Sequence, residues 1–405
     1  MELKSVQITV ITAIYNKSKY LDNYVQSLKE QKFQNFEVIC VEDCSTDDSM
    51  EHLKKLVSND NRFIIISNNV NSGASVSRNN ALKISRGKYV CFLDPDDCFT
   101  ANTLEVLWNT AEKFEVDGLL FSASEYSEDL KKELRPIKYK YTYPVCDGEK
   151  LISLLHERSE YQSACGFQLW KLEFIKKNEV RFYPNIVYED TLFTLEVLLK
   201  AKRVMAISDI LYIYRKCSNS ISHSLGVKQL YSCLIVYNEL LKLSEQYFNN
   251  EGVYLEIINR LNLFKRRIQH VVCTEQKNII CSVDYGEYNY ILQSFFENIS
   301  YPYIRQLSIN EIDKLKKTRN VYIYGDGIIA EETIALLNTQ HINIKAVIVS
   351  YVIDGNEWHG YKMIAIDDFF EKGIVVISVT PKWRKQLEKI LHERGNETIF
   401  ITRSI

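Results

Sequence analysis

Two apolar runs rich in β-branched residues, "VQITVITAIYN" (6–16) and "NFEVICVEDCSTDD" (35–48), each stop at a polar turn, and one amphipathic segment lies between them. Runs of this kind are buried-strand material. The linking stretch "KSKYLDNYVQSLKEQKF" puts Tyr20, Leu21, Tyr24, Val25 and Leu28 on one helical face. A strand joined to the next through a helix is a crossover connection, which makes the two strands parallel. A second helix containing Met50, Leu53 and Leu56, then the strands "RFIIIS" and "KYVCFLD", continue the rhythm. The pattern predicts an α/β fold on a mostly parallel sheet, and such sheets bind ligands beyond the carboxyl ends of their strands.

Carboxylates sit where that edge would be, at 42–43 and again at 94–97 in "YVCFLDPDDCF". Asp94, Asp96 and Asp97 are hard oxygen donors suited to Mg²⁺ or Mn²⁺, which often take one or two protein carboxylates and complete their shell with substrate phosphates. A nucleotide diphosphate suits such a cleft. A solvated turn capping the next helix is the competing reading of "DPDD", and the four residues alone leave both open.

Composition narrows the function classes. With 50 basic against 52 acidic residues the chain has a formal charge of −2 and no polycation signal for nucleic acid. Its ten cysteines include no CxxC pair and read as reduced thiols. No basic start precedes an apolar run, and no window reaches 18 apolar residues, so the expectation is a cytoplasmic protein. A length of 405 residues suggests two or three domains.

The stretches "ITAIYNKSKYLDNYVQSLKEQKFQNFEVICVEDCSTDDS" and "NVNSGASVSRNNALKISRGKYVCFLDPDD" resemble, motif by motif over about 100 residues, the nucleotide-binding half of the family two inverting glycosyltransferases. The resemblance implies a GT-A type mixed sheet flanked by helices. It further implies a nucleotide-sugar donor held by Ala13, Tyr15 and Asn16 in the first turn, by Asp43, and by Arg78 above a loop shaped by Asn71 and Gly73. Asp94 would lie near the ribose and Asp96 on the metal. The chain departs from the family at Ala13, where proline is usual, at Glu42, usually aspartate, and at Cys44, commonly glycine. Arg78 as an ordinary helix-surface charge, and Asp97 as a supporting acid or a cap, are the plainer readings.

Further along, "NIVYEDTLFTLEVLL" places Tyr188, Glu189 and Asp190 at the start of an amphipathic helix. Simple capping by Asp190 would explain it in isolation. In the family pattern this aspartate is the general base, with Glu189 its neighbour or an acceptor ligand. Inversion needs one carboxylate to take the acceptor proton while a metal stabilises the diphosphate leaving on the opposite side. "SACGFQLWKLEFI" resembles the sugar- and acceptor-facing segment, with Trp170 to stack on a sugar and Gln168 or Lys171 to reach a hydroxyl; a core tryptophan is the alternative. "LYIYRKCSNSISHS" resembles the loop closing on the diphosphate, with Arg215 as its main cation and His223 as a third metal ligand or an exposed histidine.

The domains expected are 1–225 for the GT-A part, 226–316 as a helical connector and 317–405 as a small Rossmann-like α/β domain. In the connector Arg260, Lys265, Arg266 and Arg267 lie beside an apolar face. A peripheral membrane contact near a lipid-linked acceptor fits them, but a connector or homo-oligomer contact is preferred, since four charges give modest membrane affinity. In the last domain "GDG" (325–327) with Ala330 is a weak dinucleotide fingerprint. "IKAVIVS" ends without the ribose-binding acid, so NAD is not expected. The functional expectation is a Mn²⁺- or Mg²⁺-dependent glycosyltransferase acting on a UDP-sugar and a glycan or lipid-linked hydroxyl. A nucleotidyltransferase and a silent glycan-binding or assembly module are the rivals.

Overall fold

The computed structural model describes residues 5–127, 132–133, 136–137, 139–216, 227–274, 285–289, 291–292, 308–325, 328–349, 357–358, 360–378 and 384–400. The chain divides into two compact units, residues 1–293 and 294–405.

The first unit opens with strands β1 (Ile8–Ile14), β2 (Phe36–Glu42), β3 (Phe63–Ser67) and β4 (Tyr89–Phe92), alternating with helices α1 (Leu21–Lys29), α2 (Ser49–Val57) and α3 (Gly73–Ile84). These four strands are parallel, in the order β3-β2-β1-β4, as crossover helices demand. Ile8, Val10 and Ile14 of β1 join Tyr24, Val25 and Leu28 of α1 in one apolar cluster. Thr9 and Ile11, which alternate onto the opposite face, are just as buried, because the sheet is covered on both faces.

Beyond β4 the sheet becomes mixed. Strand β5 (Cys98–Phe99) and helix α4 (Thr103–Phe114) precede β6 (Gly118–Ser127), the short β7 (Lys132–Glu133) and β8 (Tyr143–Cys146). Helix α5 (Gly148–Glu157) leads to β9 (Gln168–Lys171), α6 (Leu172–Lys177), α7 (Glu189–Lys200) and the long β10 (Val204–Lys216). β9 inserts between β4 and β6, antiparallel to both, and β10 runs parallel to β6. On the α7 face Phe92, Phe182 and Phe193 form an aromatic core, with the Phe182 and Phe193 rings stacked at 4.0 Å. Helices α8 (Val227–Gln246) and α9 (Glu251–Thr274) pair with each other and pack on α7 and α5 respectively, within the same compact unit.

The second unit contains α10 (Ile309–Lys317), β11 (Val321–Tyr324), α11 (Ile328–Thr339), β12 (Ile344–Val349), β13 (Glu357–Trp358), β14 (Tyr361–Ala365), β15 (Ile374–Ile377), α12 (Arg384–Glu393) and β16 (Glu397–Phe400). Five of its strands are parallel, in the order β14-β12-β11-β15-β16, with β13 antiparallel at the edge. That is the strand–helix–strand unit expected here, and Ala330 is fully buried. Asp326 and Gly327 of the glycine turn lie outside the described residues.

Candidate functional site

The carboxyl ends of β1 and β2 are tied together by side chains. Asn16, in the left-handed backbone conformation (φ 51°), accepts from the Thr46 backbone N–H at 2.7 Å, and its own N–H donates to Ser45 Oγ at 3.0 Å. Glu42 is buried, and its carboxylate accepts from the N–H groups of Ser45 at 2.6 Å and Cys44 at 3.2 Å. It holds a tight turn. Cys44 stands at φ 57°, a region glycine enters freely and other residues at a cost of about 1 kcal/mol. The glycine common in the resembling sequences has a backbone reason here, and the Glu42 bonds offset its loss. Tyr15 is exposed beside this turn, and Ala13 is half-buried.

Asp43 lies deeper than its expected role suggests. It is 2% exposed and accepts from Asn68 Nδ2 at 2.7 Å and from the backbone N–H groups of Ser72 at 2.8 Å and Gly73 at 2.7 Å. A carboxylate at the start of a helix satisfies donors that have no partner within the helix and opposes the macrodipole. Asp43 thus fixes the start of α3. Asn71 is exposed on the loop that leads into it.

Arg78 is no surface charge. Only 5% exposed, it donates to Asp94 Oδ1 through Nη2 at 2.8 Å and to Glu189 Oε1 through Nη1 at 2.6 Å, with Asp190 Oδ1 at 3.5 Å. The Phe182 ring lies 5.2 Å from the guanidinium carbon. One planar cation joins the β4 turn to the start of α7, which a lysine's point charge could not do as well. The next carboxylate, Asp96, pairs with the Lys17 ammonium. Asp97 is buried and accepts from the Tyr212 hydroxyl at 2.6 Å and the Arg215 N–H at 2.7 Å. Burial, then the charges of Asp94 and Asp96, push its carboxyl well above the usual range, and those two donors oppose the rise. It locks β10 to the "DPDD" turn and does not cap α4. Arg215 Nε donates to the Asp96 carbonyl at 2.9 Å, and its guanidinium stands 5.5 Å from the Tyr20 ring.

On α7, Glu189 is the first helical residue and Asp190 the second, so Asp190 is not the cap. Tyr188 occupies the cap position at φ 70°, ψ 24°, without a side-chain capping bond. A left-handed tyrosine costs about 1–2 kcal/mol, so its surroundings must hold it. Glu189, 8% exposed, is committed to Arg78. Asp190 keeps 31% of its side chain open and accepts weakly from the Cys165 N–H at 3.4 Å. Its carboxyl is pushed up to about 7 by loss of solvent, a rise that Arg78 opposes and Glu189 and Asp94 reinforce. A carboxylate poised near neutral pH with an open edge can accept a proton from a hydroxyl.

The sugar-facing segment needs correction. Trp170 is fully buried in β9, its ring lying where a Cβ on Gly118 would be 2.1 Å from it, and its indole N–H donates to Gln168 Oε1 at 2.9 Å. Gln168 is 1% exposed and donates to Thr194 Oγ1 at 2.8 Å and to the Ala164 carbonyl at 3.1 Å. Lys171 lies at the far end of β9, opposite Tyr89 at the start of β4, with Glu173 at 3.8 Å. Gln168 and Trp170 are scaffold, enclosed in a strand that has partners on both sides, whereas Lys171 keeps 37% of its side chain open but stands beside the start of β4, at the other end of that strand from the "DPDD" turn. His223 lies outside the described residues. Arg260 turns to Glu256 at 2.6 Å and Arg267 stacks on Tyr188 at 4.1 Å, which takes both from the basic group expected on the α9 surface. Sequence reasoning missed Lys17, one residue beyond the cradle turn, and Tyr212, inside the quoted "LYIYR".

Among the described residues no three Asp, Glu, His or Cys side chains converge as a metal cage, and no helix is long and apolar enough to cross a membrane. Asp94 and Asp96 nonetheless offer hard oxygens on one turn, each with one oxygen engaged by a cation of the chain. That donor set fits a divalent ion shared with a diphosphate rather than one held by protein alone.

Residues 9–168 match the glycosyl transferase family 2 model. Glycosyltransferase GlyG of Streptococcus pneumoniae is 29% identical over 220 residues, covering 53% of this chain and 72% of its own length. Cholesterol galactosyltransferase of Borreliella burgdorferi is 26% identical over 331 residues, or 77% and 90% of the two chains. Among solved structures, S. aureus TarS 1–349 in complex with UDP-GlcNAc has a TM-score of 0.55 at 21% identity, covering 75% of this chain and 98% of that one, a likeness of fold.

Proposed function

We propose that the chain, a nucleotide-sugar glycosyltransferase of family two whose model matches residues 9–168, is an inverting, metal-assisted enzyme that moves a sugar from a UDP-sugar to a hydroxyl of a cell-surface glycan, polysaccharide or teichoic-acid-like polymer. The observation that carries this is the Arg78 bridge, which sets the "DPDD" turn and the Glu189–Asp190 pair on two sides of one guanidinium. The UDP-GlcNAc bound by the TarS structure supports a UDP-sugar as donor.

Asp190 is the general base. Its raised affinity for protons and partial exposure suit removal of a proton from the acceptor hydroxyl as it attacks. Glu189, bound to Arg78 at 2.6 Å, holds that guanidinium in place. The β1 turn at Ala13, Tyr15 and Asn16, the Asp43 loop with Asn71, and Asp94 form the nucleoside side of the cleft. Arg215 offers a cation beside Asp96 for the diphosphate. A divalent ion on Asp96 would neutralise charge on the departing UDP.

The test is a panel of nucleotide sugars, read as UDP release and sugar transfer with and without Mn²⁺, on the native chain and on Asp190→Asn. Turnover of the variant should drop by about 10²- to 10⁴-fold, the usual worth of a general base. Its UDP affinity should stay near native. Wild-type turnover in Asp190→Asn would remove the base assignment, and UDP affinity indifferent to Mn²⁺ in the native chain would remove the metal.

A further inference from the structure

We propose that Arg267, Phe264 and Ser232, on the two helices that follow the glycosyltransferase fold, clamp the segment Val187–Tyr188 and thereby aim Asp190. The proposal rests on Asp190 being the base.

The observation behind it is a helix start that has a local backbone bond, from the Thr191 N–H to the Tyr188 carbonyl at 3.1 Å, but no side-chain cap. Tyr188, the cap of α7, has a left-handed backbone and makes no side-chain capping bond, so the usual capping chemistry of a serine, threonine or aspartate is missing. Asp190 is two residues further on, and any rotation about Tyr188 would swing it. Two contacts from outside oppose such rotation. The Val187 N–H donates to Ser232 Oγ of α8 at 3.1 Å, and that hydroxyl, fully buried, donates to the Lys228 carbonyl at 2.8 Å. The Tyr188 ring is held by α9: the Arg267 guanidinium carbon is 4.1 Å from its centroid, and the buried Phe264 ring meets it edge-on at 5.7 Å. Arg267 also lies 5.3 Å from the Phe264 ring, so cation and two rings form one cluster.

The neighbouring Glu189 is tied to Arg78 from the opposite direction. Residues 187–189 are thus pinned at three successive positions while Asp190 keeps an open edge. Arg267 is a positioning residue: its contacts are with the Tyr188 and Phe264 rings, and it acts through Tyr188 on Asp190. Small misplacements of a reacting group cost large rate factors, so loosening the cluster should act on turnover and spare binding.

The full chain is measured as UDP release from UDP-glucose and UDP-N-acetylglucosamine, alongside UDP affinity by calorimetry. Arg267→Ala should lower kcat by about tenfold, the scale of one cation–π contact, with donor KM and UDP affinity within about twofold of native. Arg267→Lys, which keeps the charge over the ring, should recover part of the loss. In an Asp190→Asn background Arg267→Ala should cost nothing more, because the group it aims is already gone. A merely structural role would instead lower UDP affinity and persist in that background. Native kcat in Arg267→Ala, beside a collapsed Asp190→Asn, overturns the clamp and leaves the base standing. Native turnover in Asp190→Asn overturns both. Should Arg267→Ala fail to fold, Tyr188→Gly decides, since glycine accepts the left-handed backbone without the ring; it must give the same kcat-selective loss, and native kcat there refutes the proposal.

Discussion

With Asp190 as the proposed general base, the pH dependence of catalysis should follow from its surroundings. Loss of solvent raises its carboxyl to about 7, Arg78 at 3.5 Å pulls it down, and Glu189 and Asp94 push it up again. A base works only when ionised, so the free enzyme's ionisation should appear as the acidic limb of kcat/KM for the nucleotide sugar. With a midpoint near 7, about a tenth of the enzyme carries the active carboxylate at pH 6 and about nine-tenths at pH 8, a rise of about tenfold across those two units. The assay is initial-rate UDP release from pH 5 to 9 at fixed ionic strength, repeated on Asp190→Asn, where the limb should vanish together with most of the rate. A profile flat from pH 5.5 to 8, or one that breaks near the ordinary carboxylate value of about 4, would refute the reasoning. The same shift has a stability consequence. A carboxyl whose pKa is higher in the folded state contributes stability that is full below the unfolded value near 4 and lost as pH rises through about 7. Asp190→Asn should therefore gain thermal stability relative to native as pH rises from about 4 to 7, and hold a level advantage above that.

Arg78→Met should destabilise the chain by about 3–5 kcal/mol in urea unfolding, because it strands the buried Glu189 carboxylate, and Arg78→Lys should not restore activity, since an ammonium cannot serve Asp94 and Glu189 in fork geometry; a loss under about 1 kcal/mol would contradict the bridge. Lys17→Ala frees Asp96 from its ammonium, so Mn²⁺ affinity read by electron paramagnetic resonance should tighten by about fivefold, the worth of a ~1 kcal/mol partly exposed pair, whereas Asp96→Asn should leave the signal of free Mn²⁺ undiminished; unchanged affinity in Lys17→Ala would mean the two cations do not compete. A chain ending at residue 293 should fold and release UDP, since the contacts of the last 112 residues form their own compact unit. One ending at residue 226 should not, because Val253, Ile257, Leu261, Phe264 and Ile268 of α9 are buried, and losing their burial at about 1.5–3 kcal/mol each removes together as much as the whole ordinary margin of about 5–15 kcal/mol. Size exclusion and UDP release compare the two.

Local signals in the chain were enough for the alternation of strands and helices, the carboxylates at the ends of β2 and β4, and the Glu189–Asp190 pair at a helix start. Each is written in a period of two or 3.6 residues or in the chemistry of a single turn, so a short window contains all the information. The identities of the partners were not local. Arg78 meets Asp94, Glu189 and Asp190 across separations of 16, 111 and 112 residues, and only the closing of the sheet brings them to one cation. Trp170 could not be read as core or surface because β9 is enclosed on both faces, where the period of two carries no inside and outside; the bare Gly118 of β6 makes its berth. Asp43 was legible as an acid at a strand end, yet its three donors come from a loop more than 20 residues later. Helices α8 and α9 showed their apolar stripes in sequence, but a stripe does not say what it will bury against. That Ser232 and Arg267 would close on Val187 and Tyr188 depended on the packing of α8 and α9 against α7 and α5, because burial and orientation are properties of the assembled unit and not of any segment of it.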